Sequence, residues 1–134
     1  MPFSTKSGCF SGACWGSFVA QSTMILFQIL FDVAEEKRTE FEKAYAETFE
    51  PALRRQQGFR GSKLLRLYPA TWIEEIEAAP TEYNYQFNFM FDAEPSRRRW
   101  AVSKDHDVAW PKVSSLARKL VWRGYEVVRE SAQP

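Results

Sequence analysis

The chain has 134 residues, of which 45% are hydrophobic and 16% aromatic, and its formal net charge is +1. That length holds one real core and excludes two, and the apolar and aromatic content excludes a disordered chain. The near-neutral charge gives no electrostatic reason for nucleic acid or an anionic membrane to be the main partner.

Residues 1–22 are rich in Ser and Gly and lack hydrophobic periodicity. They read, up to residue 23, as a flexible extension, or as the product of a start codon placed too far upstream. Lys6 followed by Cys9–Ala20 faintly mimics a signal peptide, but Gly, Ser and Trp interrupt the apolar stretch, so that reading is rejected. Cys9 and Cys14 are the only cysteines. Two free thiols in a cytoplasmic protein are preferred to a disulfide across this short stretch, and the chain is expected in the cytoplasm. One histidine, His106, and no CxxC leave no metal-ligand spacing.

From Met24 the period is that of a strand. Ile25, Phe27, Ile29 and Phe31 share one face, and Leu26, Gln28 and Leu30 share the other. Both faces are largely apolar, which predicts a central strand covered on both sides. The run Met24–Phe31 is broken by Gln28 and is far too short to cross a bilayer.

The period then changes. Phe41, Tyr45, Phe49 and Leu53 recur every four residues and predict one amphipathic helix, with Glu35 and Glu36 at its start and Arg54 and Arg55 at its end. Pro51 is expected to kink or restart it, and Gly58 to stop it. Phe59 to Tyr68 reads as a second strand. Residues 70–82 form a connector in which Trp72, Ile73 and Ile76 suggest a short helical turn. Tyr83 to Asp92 alternates strictly and predicts a third strand. A second helical region runs from Pro95 to about Lys119, with Pro111 dividing it in two, and Leu120 to Val128 is the last strand. Arg97, Arg98 and Arg99 fall at that helix start and read as a solvated face rather than a phosphate site.

The order strand, helix, strand, strand, helix, strand gives an α+β, ferredoxin-like βαββαβ domain over residues 24–130, with residues 131–134 as a tail. Its sheet is four-stranded and antiparallel, with both helices on one face. The other face keeps Leu26, Leu30 and Met90, more apolar surface than a monomer usually tolerates. Two sheets packed face to face would bury it, so a homodimer forming a dimeric α/β barrel is expected. The competing reading is that the connector 69–82 or the N-terminal tail folds over this face.

With the elements placed, the chain resembles the antibiotic biosynthesis monooxygenase (ABM) family of the dimeric α/β-barrel superfamily. The resemblance spans roughly residues 24–128. It rests on Asp32-Val33-Ala34-Glu35-Glu36-Lys37 with Phe41 inside the helix that follows, and on Gly58-Phe59-Arg60-Gly61-Ser62 opening strand two. It rests also on Trp100 to His106, which resembles an aromatic-x-x-Ser-x-x-His signature. The order and spacing of these motifs specify a fold better than a reaction.

The resemblance implies homodimers with a pocket between sheet and helices. It also implies functions that range over oxygenases needing no metal or flavin, haem-degrading enzymes and quinol oxidases. The haem-degrading members use a strand-one asparagine, a tryptophan and a later axial histidine. Trp100 matches the tryptophan, but Gln28 or Ile29 stands at the asparagine position and Trp110 or a neighbour at the histidine position, with His106 about one turn early. Haem degradation is therefore not expected, and neither is any cofactor.

Cofactor-independent oxygenation needs an apolar pocket, a proton acceptor and donors that hold an anion. His106 is the candidate base, because only its side chain ordinarily titrates near neutrality. Flanked by Asp105 and Asp107, it has a blander reading, which is preferred, as a residue that simply caps or solvates a helix turn. Gln28, Asn88, Trp100 and Trp110 are the candidate substrate-binding residues, Gln28 because a buried amide must find partners. Asn84, Gln86 and Asn88 have a second reading as a polar outer face or dimer contacts, and the tryptophans as core. The leading expectation is a monooxygenase for a small aromatic or quinol substrate. The alternative is a non-catalytic dimeric protein that binds a small hydrophobic ligand or serves a stress response.

Overall fold

A computed structural model describes residues 23–131. The expected extension, with Cys9 and Cys14, lies outside the described residues except for Thr23, as does most of the expected tail. The elements run β1 (Ile25–Val33), α1 (residues 35–54), β2 (Phe59–Arg66), α2 (Ala70–Glu75), β3 (Tyr85–Phe91), α3 (Glu94–Ala101), α4 (Lys104–Ser114) and β4 (Ala117–Glu126). The sheet order is β2-β3-β1-β4 and every pairing is antiparallel. This is the expected ferredoxin-like arrangement, with the most apolar strands, β1 and β3, at its centre.

Alternation then decides the layers. Ile29, Phe31, Phe87 and Phe89 point to one face and are buried against Phe41, Tyr45, Phe49 and Leu53 of α1 and Ala109 and Val113 of α4. At roughly 1.5–3 kcal/mol per large apolar side chain, this aromatic layer is the main source of stability. Phe87 sits at its middle, with ring centroids of Phe31 and Tyr45 at 4.5 Å and Phe49 at 4.9 Å.

α1 changes its winding along its length. A 3₁₀ turn, Glu35–Lys37, leads into an α-helical stretch, Arg38–Ala44, then a π-type turn, Tyr45–Phe49, and a last α-helical turn, Glu50–Arg54. The N–H of Glu50 donates to the carbonyl of Tyr45, five residues back. Pro51 has no N–H to continue the ladder and restarts the helix in its first turn, as its sequence position predicts. The wider turn keeps both Tyr45 and Phe49 on the core side.

Gly58 ends the α1–β2 turn with φ of 89°, a backbone state that favours glycine, and a Cβ there would lie 2.5 Å from the Ser96 hydroxyl oxygen. Asn84 closes the far end of β1: its amide accepts from the Val33 N–H at 2.9 Å and donates to the Val33 carbonyl at 2.8 Å. Its amide is therefore engaged by backbone.

Several boundaries differ from the sequence expectation. The second helical region breaks at Val102 and Ser103, not at Pro111, because Ser103 caps a new helix start. Pro111 stays inside α4, where it is exposed. β4 begins at Ala117 rather than Leu120, since β1 pairs with it as far as Val33. β2 stops at Arg66 and β3 begins at Tyr85, two residues inside the expected limits. The connector does form the short helix α2, but Trp72 and Ile76 stay 51% and 60% exposed, so it does not lie down as a cover. No described helix is long and apolar enough to cross a membrane.

Candidate active site

Where α3 meets α4, Ser103 organises two side chains at once. Its hydroxyl accepts the backbone N–H of His106 at 3.1 Å and donates to the carbonyl of Trp100 at 2.8 Å. A serine at the N-cap satisfies one of the orphan donors of α4 and fixes the bend from α3. Asp105 anchors the same turn to the end of α1, accepting from Arg55 at 3.0 Å and from Gln56 at 2.8 Å. Arg55 beside it holds the Asp105 carboxyl below its usual range.

This bend stands over the core side of the sheet and leaves a cavity of about 250 Å³. Phe27, Ile29, Phe89 and Trp122 line it from the sheet, and Phe49, Trp100, His106 and Trp110 from the helices. The rings hold one another edge to face: Trp100 is 5.5 Å from Phe49 at 88° and 5.1 Å from His106 at 79°. The His106 ring lies nearly parallel to Trp110, at 6.1 Å.

His106 lines this cavity, and its backbone N–H is the one that Ser103 caps. Burial pushes its imidazole below the ordinary value near 6.5, and the nearby Asp107 carboxylate opposes this without winning. Burial thus favours the neutral imidazole over the imidazolium. Nδ1 is buried without a hydrogen-bond partner, and Asp107 Oδ1 at 3.9 Å is too distant to supply one. The side chain as a whole is 25% exposed.

The candidate residues thus divide. Trp100, Trp110 and His106 converge on the cavity. Gln28 and Asn88 do not. They are register partners on β1 and β3, and the two-residue period that turns Phe27, Ile29 and Phe89 into the cavity turns them to the helix-free face. There Gln86 donates to Asn88 at 2.9 Å, in the row that also holds Lys63 and Arg123. Neither lines this cavity, where the sequence reading expected both as substrate-binding residues.

Arg97 was the larger surprise of the arginine run. Arg98 and Arg99 are exposed, as expected, but Arg97 lines the cavity with its guanidinium carbon 5.3 Å from the centre of the Phe27 ring. The signal in the sequence is spacing: Arg97, Trp100 and Ala101 share one face of α3. Phe49 was visible only as a core residue. Among the described residues no group of three or more His, Cys, Asp or Glu is placed to hold a metal ion.

No family model and no curated protein matches the chain. Solved structures do. A variant of SnoaB, a cofactor-independent oxygenase from Streptomyces nogalater, superposes with a TM-score of 0.64 at 17% identity, covering 83% of this chain and 99% of that one. A candidate antibiotic biosynthesis monooxygenase from Caulobacter crescentus CB15 gives 0.63 at 14% identity, covering 86% and 99%. A dimeric protein of ferredoxin-like fold and unknown function from Bacteroides fragilis NCTC 9343 gives 0.60 at 14%, covering 77% and 95%. At such identities the likeness is one of fold: this chain has the ferredoxin-like α+β fold, as the sequence reading expected.

Proposed function

We propose that the chain is an ABM-type monooxygenase that oxidises a small phenol or quinol with O₂ and needs no metal or organic cofactor. The observation that carries this reading is the aromatic cavity whose one titratable wall is a neutral, partly exposed histidine. The likeness in fold to a cofactor-independent oxygenase supports it.

In this mechanism His106 Nε2 accepts the phenol proton, and the resulting anion is the reductant for O₂. For a phenol with a free para carbon, one oxygen atom of O₂ becomes the new quinone oxygen. The other leaves as water with the phenolic hydrogen and the displaced ring hydrogen. The tryptophans hold the ring plane and keep bulk water away from the anion.

The working unit in this reading is a homodimer joined through the outer sheet face. Leu26, Leu30, Met90 and Val121 lie there around the polar row of Gln28 and Asn88. Among the described residues, α2 stays exposed and no helix covers that face.

The test is protein-dependent O₂ uptake with a naphthol that has a free para carbon, followed together with quinone absorbance. Wild type should consume O₂ and form the quinone in equal amounts, and His106→Ala should lose at least about a hundredfold in rate. Absence of protein-dependent uptake across naphthols and hydroquinones would leave the non-catalytic binding protein in its place.

A further inference from the structure

We propose that Arg97 makes this pocket selective for an aromatic ligand bearing an acidic group, a carboxylate or a second ionised hydroxyl, which the guanidinium receives at the cavity wall. The proposal deepens the substrate class of the same site and rests on that pocket being the ligand site.

Arg97 is the only side chain with a permanent charge among those lining the cavity, since His106 is neutral and the remaining lining residues are apolar or aromatic. Its side chain is only 22% exposed. A guanidinium has five N–H donors. Glu94 takes two of them in a fork, Nε to Oε1 at 2.9 Å and Nη2 to Oε2 at 2.7 Å. The remaining donors have no protein acceptor among the described residues.

Nor does Glu94 cancel the charge. The same carboxylate also accepts from Arg98 at 3.0 Å, so two guanidinium groups share one anion and the cluster keeps a net positive charge. The fork does something else: it fixes the guanidinium plane, so little side-chain entropy remains to be lost when a ligand docks. The Phe27 ring beneath it gives an aromatic ligand a flat neighbour next to the charge.

Arg97, Phe27 and Trp122 are shared with an adjoining cleft of about 430 Å³. That cleft also presents Glu94 and Glu126, which disfavours an anion further out. The acidic group is thereby confined to the inner side of Arg97.

Isothermal titration with two probes of one shape, a naphthoate and the matching naphthamide, tests this without turnover. Wild type should bind naphthoate at least about tenfold more tightly, the scale of a charge-assisted hydrogen bond. Arg97→Gln should erase the preference and leave naphthamide within about threefold, and Arg97→Lys should retain part of it. Glu94→Gln should widen the preference, because the guanidinium is no longer shared. Circular dichroism of each variant shows whether the fold survives, and the lysine variant carries the test if the glutamine variant does not fold.

Equal binding of the two probes by wild type, an undiminished preference in Arg97→Gln, or no binding of either probe would overturn the proposal. A preference that depends on Arg97 in a protein showing no O₂ uptake would uphold it while removing the oxygenase reading. O₂ uptake with equal affinity for acidic and neutral probes would do the reverse.

Discussion

The Ser103 hydroxyl receives the backbone N–H of His106 at 3.1 Å, and through its own proton it also holds the Trp100 carbonyl at 2.8 Å. One small side chain thus fixes the bend between α3 and α4 and the relative placement of two walls of the pocket. Ser103→Ala is expected to cost about 1 kcal/mol of stability, the usual loss for an N-cap, and to lower the melting temperature by a few degrees. Thermal unfolding followed by circular dichroism measures it. A loss of zero would mean that Asp105 and its contacts hold the turn alone.

His106 couples stability to pH in a direction that follows from its burial. Its folded value lies below the ordinary one near 6.5, so the unfolded chain binds the proton first as pH falls. The stability contributed by the neutral imidazole is fully present above the unfolded value and is lost as pH drops through the folded one. Urea unfolding of wild type and His106→Gln between about pH 8 and pH 5 should show the wild-type curve falling more steeply below about pH 6.5. Parallel curves would show that the imidazole is as easily protonated folded as unfolded.

The aromatic layer is expected to be the least forgiving part of the molecule. Phe87 is fully buried and touches aromatic rings from β1 and α1. Phe87→Ala should cost about 3–5 kcal/mol, a large share of the 5–15 kcal/mol that domains usually possess. Chemical denaturation gives the number, and a cost under about 1 kcal/mol would mean that the helices collapse onto the sheet.

Gly58 is constrained from two directions, by its positive φ and by the hydroxyl of Ser96 and the carboxylate of Asp92 where a Cβ would stand. Gly58→Ala should therefore destabilise by roughly 1–3 kcal/mol. An unchanged urea midpoint would show that the turn relaxes.

The dimer proposal concerns the opposite side of the sheet. Leu30 stands between Gln86 and Val121 on the face that the helices do not cover. Leu30→Arg should turn a dimer into a monomer in light scattering while leaving the far-ultraviolet spectrum intact, since a charge buried between facing sheets has no partner. A dimeric variant would place the contact elsewhere.

How much of this was readable beforehand differs between strands and sites. The two-residue alternation of Ile25 to Phe31 and of Tyr83 to Phe91, the four-residue spacing from Phe41 to Leu53, and the stop at Gly58 determined the element order. With it came the α+β class. These are local signals, because backbone period ties side-chain direction to residue number. The break between α3 and α4 was harder. Pro111 looked like the divider because it lacks an N–H, but it lies inside α4. The cap at Ser103 settled the matter instead.

The site itself belongs to the tertiary structure. Sequence chemistry singled out His106, Trp100 and Trp110, scarce or bulky residues that stand out in any reading, and the fold brought them together. It placed Gln28 and Asn88 on the other side of the sheet, because composition names a polar residue while only register and layer packing say which side it faces. Arg97 shows the converse. Its spacing to Trp100 puts it on one face of α3, but only the position of α3 over β1 turns that guanidinium inward over Phe27 and leaves its neighbours in water. Periodicity determined the elements, and the packing of helices on one face of the sheet decided which side chains share a pocket. Proximity across elements is a property of the assembled layers and of no single segment.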